Sequence, residues 1–271
     1  MRLFDKLSGY FQNTGLAVSI IYISLCVIFV FLISIAIAPL QKLNEFEKIV
    51  NSDSLFTSNY DNNWNYSEFS EMVKYKAYKE AMLKLSKKDS IQLSVNLNDS
   101  SIGLYINGVN IHQVHIKLFK QDNLLNELSN KQYVKIFSEP VKISSQNATI
   151  IKEPIVVRQA PKDTIEAALI ATEPITLTQN PAFIFLRLEY GIDLFIEQDS
   201  NPDFHDNWVK FSHYAKFNTS KILNSFFRFI TFKKQEYYPT ITIKIPATDL
   251  RAIYRALPQN AFVVISLKNN K

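Results

Sequence analysis

Cysteine is almost missing from this chain of 271 residues: it has one, Cys26. That residue lies inside a long apolar run, so the rest of the chain can form no disulfide and has no thiol for nucleophilic catalysis or metal binding. Charge of one sign is also in short supply. Thirty Lys and Arg against 25 Asp and Glu leave a formal charge of +5 and a pI near 9.0. With no concentrated basic stripe and no nucleic-acid-binding motif, this mild excess argues against nucleic acid as a partner.

Charge is wholly absent from "GLAVSIIYISLCVIFVFLISIAIAPL", Gly15 to Leu40. About 25 residues at 1.5 Å each are enough to cross a ~30 Å hydrocarbon core with some tilt. The competing reading is a cleaved signal peptide, with Ala36-Ile37-Ala38 as the cleavage site. The run exceeds the usual ~7–15-residue apolar region of such peptides, and Pro39 would follow the cut directly. The expectation is an uncleaved signal anchor: residues 1–14 a cytoplasmic tail, 15–40 a transmembrane helix, and the rest beyond the membrane. Arg2 and Lys6 before the span nearly balance Lys42 and Lys48 after it, so the short tail and the large following domain set this orientation.

Residues 41–88 read as a linker and a helix. "NSDSLFTSNYDNNWN", from Asn51, is loop-like in composition. From Ser67 to Lys88, Met72, Tyr75, Tyr78, Met82 and Leu85 recur at helical spacing and predict a packing stripe.

Residues 89–271 read as a β-rich domain, so that the fold class is mixed and mainly β. Ile91, Leu93, Val95 and Leu97 alternate with Gln92, Ser94 and Asn96, predicting a strand with one apolar face. Asn107-Gly108 suits a two-residue hairpin turn. His112 and His115 fall on opposite faces of the next strand, which argues against shared metal ligation. Glu139-Pro140-Val141, Glu153-Pro154-Ile155 and Glu173-Pro174-Ile175 each lead into an apolar alternation, with proline at the tolerated first strand position. A further hairpin turns near Tyr190-Gly191.

"EQDSNPDFHDNW" gathers Glu197, Asp199, Asp203, His205 and Asp206, but its spacing matches no EF-hand loop and it reads as a solvated loop. No metal or cofactor is expected. From Trp208 to Tyr238, aromatic residues interleave with Lys and Arg. Three uses compete: an interfacial surface near anionic headgroups, a groove for an extended polymer, and ordinary core with solvated lysines, which is favoured. Trp208, Lys210, Phe211 and Arg228 are the binding candidates if a ligand is held here.

At "YPTITIKIPATDLRAIYRALPQNAFVVIS", Ile241, Ile243 and Ile245 alternate with Thr240, Thr242 and Lys244 in a strand. Thr248 or Asp249 is expected to cap a helix with Leu250, Ile253, Tyr254 and Leu257 on one side and Arg251 and Arg255 on the other, ended by Pro258. "AFVVISL" is a last strand.

This strand, helix and strand resemble the close of an L,D-transpeptidase catalytic domain, and "IQLSVNLNDSSIGLYINGVNIHQVHI" resembles that family's opening strands. The resemblance covers Ile91 to Leu267 and is strongest at its two ends. It implies a peptidoglycan-directed domain whose reaction is carried by a "S-H-G-C-x-R" sequence, the cysteine attacking a stem-peptide carbonyl with an upstream histidine as base. Matching Asp249 to the family's helix aspartate puts Thr240 at the histidine, Ile241 at the glycine, Thr242 at the cysteine and Lys244 at the arginine. The upstream histidine would fall near Asn224 or Ser225, and His213 lies short of it. The resemblance therefore implies a degenerate domain without catalytic residues. The expected function is a non-catalytic protein of the bacterial inner membrane that binds peptidoglycan or a protein partner in the periplasm. Two alternatives stand beside it: an active transpeptidase or hydrolase with an unrecognised nucleophile, and a structural subunit of a membrane complex with an unrelated β fold.

Overall fold

The computed structural model describes residues 2–52, 67–152, 181–199 and 204–268. The last two Glu-Pro-Ile phrases, Asp203 and most of the expected linker lie outside them. The chain divides into two compact units, one of Met1–Lys48 with Lys216–Tyr237 and one of Ile49–Ala215 with Tyr238–Lys271.

In the first unit, helix α1 is a single helix, Arg2–Asn51, so helix extends through the expected tail and beyond the expected span. It is long and apolar enough to cross a membrane. Pro39 lies inside it and removes one backbone hydrogen bond. Ala38, Lys42 and Phe46 are buried along one side. The Lys42 ammonium donates to Glu45 Oε1 at 3.0 Å and lies 5.0 Å from the Phe46 ring centre, so the buried charge is compensated. The unit's other element is the C-terminal half of α5 (Phe204–Ile230), where Phe226 and Phe229 pack edge-on against Phe31 with ring centres 6.1 and 5.2 Å away.

The second unit is mixed α/β and more helical than expected. Its strands are β1 (Gln92–Asn96), β2 (Ser101–Ile106), β3 (Val109–His115), β4 (Leu118–Gln121), β5 (Val141–Ala148), β6 (Phe183–Leu188), β7 (Asp193–Gln198), β8 (Thr240–Ile245) and β9 (Phe262–Ser266). They form one mixed sheet in the order β3-β2-β1-β9-β5-β6-β7-β8-β4. The two end strands are consecutive in the chain, separated only by Ile116 and Lys117. Ile116 N–H donates to Ser100 O beside β2, and Lys117 N–H to Lys244 O in β8. One bent run of chain thus joins the two end strands of the ladder.

Local chemistry explains the turns. Asn107 and Gly108 join β2 to β3 with φ of 49° and 79°, the left-handed geometry a two-residue hairpin demands. Tyr190 and Gly191 turn β6 into β7 with φ of 65° and 71°, and Tyr190 takes on the strain that a side chain brings there.

β1 departs from the expected half-buried strand. It lies between β2 and β9, and Gln92, Ser94 and Asn96 are buried along with Leu93 and Val95. Its polar side chains are satisfied. Ser94 Oγ is 3.0 Å from Tyr78 Oη, Gln92 Oε1 accepts from Phe262 N–H at 2.5 Å, and Asn96 Oδ1 accepts from Asn98 and Asp99 N–H.

Tyr78 belongs to α2 (Ser67–Leu85), whose packed face is rotated from the predicted stripe. Val73, Ala77, Tyr78, Ala81 and Leu85 are buried, whereas Met72 and Tyr75 are exposed. The small Ala77 and Ala81 allow close approach to the sheet, where Tyr78, Ala81 and Leu85 cluster with Val264. Two short helices follow β4: α3 (Asn123–Asn126), capped by Asp122, and α4 (Asn130–Phe137), opened by a Ser129/Gln132 capping box.

α6 (Ala247–Ala256) connects β8 to β9. Leu250, Ile253, Tyr254 and Leu257 are buried as expected. The expected cap is corrected: the N-cap is Pro246, without a side-chain hydrogen bond, and Asp249 sits in the first turn, where its charge favours the positive end of the helix dipole.

Candidate functional site

β8 carries the positions that the resemblance singles out. In register, Thr242 lies between Phe195 of β7 and Lys120 of β4. It sits mid-strand with regular pairing on both sides, so its backbone amides are committed to the ladder and none turns to meet an oxyanion. No side-chain hydrogen bond joins Thr242 to a histidine or carboxylate among the described residues. Among the described residues, that hydroxyl has no base within hydrogen-bond reach to activate it. Ile241 is fully buried, on the opposite face to Thr242. Thr240 is fixed through its backbone, its N–H pointing to Asp122 Oδ2 at 3.4 Å and its carbonyl accepting from Asp122 N–H at 3.0 Å. In register, Lys244 lies between Glu197 of β7 and Leu118 of β4.

Beside this strand, Glu197 is buried at 5% exposure. Its Oε2 accepts from Lys210 Nζ at 2.7 Å, and Oε1 accepts from the Tyr214 hydroxyl in a short hydrogen bond. The Tyr214 ring stacks on Phe195 with centres 5.1 Å apart. Burial, and then the adjoining carboxylate, push the Tyr214 hydroxyl far above its ordinary pKa, so it stays protonated as a donor. The sequence holds a signal for this cluster, since Lys210 and Tyr214 are one helical turn apart in α5 and Glu197 continues an apolar strand. Reading the acids from Glu197 to Asp206 as one solvated loop hid it.

The remaining described acids of that stretch are also engaged. Asp199 pairs with Lys117 at 2.6 Å, and Asp206 accepts from Gln198 Nε2 at 3.3 Å. Among the described residues, no three His, Cys, Asp or Glu side chains converge as a metal site.

His112 and Asp249 come together from β3 and α6, with Nε2 3.2 Å from Oδ1. The contact lacks the alignment of a hydrogen bond. It brings the β2–β3 hairpin beside α6.

The aromatic stretch is packed only in part. It forms α5 and the turn after it, with Trp208 at 62%, Phe211 at 64% and Phe232 at 98% exposure. The structure separates the four binding candidates. Trp208 and Phe211 form an exposed pair with ring centres 6.0 Å apart. Lys210 is held by Glu197. Arg228, in the other unit, donates to Lys234 O at 2.9 Å and pairs with Glu236. Only Trp208 and Phe211 present a ready surface, one suited to stacking.

No family model, curated protein or solved structure matches this chain.

Proposed function

We propose that the chain is a single-pass protein of the bacterial inner membrane, anchored by α1, whose second unit is a non-catalytic, L,D-transpeptidase-like periplasmic module that binds peptidoglycan. The observation that carries the non-catalytic reading is Thr242. It stands mid-strand, paired in register with Phe195 and Lys120, and among the described residues no base is hydrogen-bonded to it. The uncharged length of α1 supports the anchor. The resemblance supports the glycan-peptide polymer as ligand, and the exposed Trp208 and Phe211 rings offer a stacking surface for it.

Sedimentation of the detergent-solubilised full chain with purified sacculi tests this function. The wild type should pellet with sacculi, and the Trp208→Ala, Phe211→Ala double variant should remain largely in the supernatant. Equal pelleting of the two would remove the aromatic pair as the binding surface. No pelleting of either would turn the reading toward a protein partner.

A further inference from the structure

In the first unit, the end of α5 bears a concentrated apolar surface. Ile222, Leu223, Phe226, Phe227 and Ile230 are between 47% and 62% exposed, and Phe232 is 98% exposed. Six large apolar side chains within eleven residues form a patch that the water-facing surface of a monomeric domain rarely carries. Thr231 N–H and Phe232 N–H close the last turn onto Phe227 O and Phe229 O, and Phe232 takes φ of 52°. The helix therefore ends abruptly at its most exposed ring. Lys233 and Lys234 follow immediately and are exposed.

The place of this surface along α1 identifies its solvent. Phe226 and Phe229 pack on Phe31, which lies nine residues inside Leu40, the end of the apolar run. Nine residues of helix are about 13 Å. The run itself is about 39 Å long against a ~30 Å hydrocarbon core, so the lipid boundary falls between Leu40 and Phe31. The neighbouring α1 side chains Ile28, Phe29, Leu32 and Ile35 are exposed too, and the Phe226 and Phe229 rings of α5 meet α1 among them, at Phe31. Water along one helix and lipid along the other is not a stable arrangement for contiguous apolar surface.

We propose that the tip of α5, Ile222 to Phe232, is a second membrane contact. It enters the headgroup and acyl boundary of the leaflet nearer Leu40, with Phe227, Ile230 and Phe232 among the acyl chains and Lys233 and Lys234 at anionic headgroups. Aromatic rings followed at once by lysines suit that boundary, where the rings are buried and the ammonium groups reach the phosphates. The inference rests on the reading of α1 as the anchor.

Depth-dependent quenching in nanodiscs separates the two. The full chain is labelled with an environment-sensitive fluorophore at native Cys26, or at Phe227→Cys, Phe232→Cys or Lys87→Cys in a Cys26→Ala background. It is inserted singly into phosphatidylcholine and phosphatidylglycerol nanodiscs with nitroxides placed shallow or deep on the acyl chains. Cys26 should lose most of its emission to deep nitroxides, Phe227→Cys and Phe232→Cys should lose most of theirs to shallow ones, and Lys87→Cys should lose none. Quenching at Cys26 without quenching at either tip position overturns the inference and leaves the anchor standing. Blue-shifted but unquenched tip labels overturn it as well, because the patch is then covered without lipid. Absence of quenching at Cys26 removes the anchor, and the inference falls with it.

Discussion

Arg187 holds Asp193 with both ends of its guanidinium across the β6–β7 hairpin, Nε 2.9 Å from Oδ1 and Nη2 3.2 Å from Oδ2. Asp193 is fully buried, while Arg187 lies with its Cζ 4.2 Å from the centre of the Tyr238 ring. A buried carboxylate with a two-pronged partner costs little to keep and much to leave unpaired. Arg187→Ala should therefore destabilise the fold by about 3–5 kcal/mol, and Asp193→Asn with Arg187→Met by clearly less. Urea unfolding of the solubilised full chain, followed by tryptophan fluorescence and circular dichroism, measures both.

Tyr133 gives the fold a pH limit. It is 1% exposed, and burial pushes its hydroxyl up to about 12, with the hydrogen bonds at Leu267 N–H and Ser266 offsetting only part of the effect. The folded state retains this proton at a pH where the unfolded chain, with its ordinary value of about 10, has lost it. The stability linked to it is complete below about pH 10 and is lost as pH rises through the folded value of about 12. Melting temperature should fall across that window, and Tyr133→Phe should flatten the fall. An unchanged slope in the variant would place the alkaline limit elsewhere.

The buried side of α6 should dominate its energetics. Leu257→Ala is expected to cost about 2–5 kcal/mol, whereas Arg255→Ala on the exposed side should cost less than about 0.5 kcal/mol. Equal shifts in thermal unfolding would contradict the packing of Leu257, which is 2% exposed.

Membrane attachment predicts that the full chain resists carbonate extraction, and that in spheroplasts a tag after Lys271 is cleaved by added protease. Release by carbonate, or protection of the tag until lysis, would overturn the anchor or its orientation.

How far the sequence could be read depended on whether one face or two of an element are packed. Ile241, Ile243 and Ile245 alternate in sequence and are fully buried together. Leu250, Ile253, Tyr254 and Leu257 likewise follow one helical face into the core. Alternation failed for β1, because it marks the apolar face and is silent on what covers the other. Tyr78 and Phe262 supply groups that bond Ser94 and Gln92, and no local pattern announces them. In α2 the Met and Tyr stripe looked more apolar than the alanines, yet close packing on Val264 selected Ala81.

The candidate site was legible only in part. Thr240 to Lys244 form the expected strand, but the pairing of Thr242 with Lys120 and Phe195 joins residues more than forty positions apart. The Glu197, Lys210 and Tyr214 cluster brings a strand against a helix and needs the same knowledge of topology. In α5, the interleaving of aromatics with lysines favours core by composition, which is silent on which rings stay exposed; Trp208, Phe211 and Phe232 do.

Turnover of stem peptides decides whether Thr242 does chemistry. Purified full chain, wild type and Thr242→Ala, is incubated with sacculi and with isolated stem peptides, and the products are resolved by mass spectrometry. Neither protein should cross-link or trim any stem peptide, and the two product profiles should be identical. Turnover by the wild type that Thr242→Ala abolishes would contradict the account and make the hydroxyl a nucleophile.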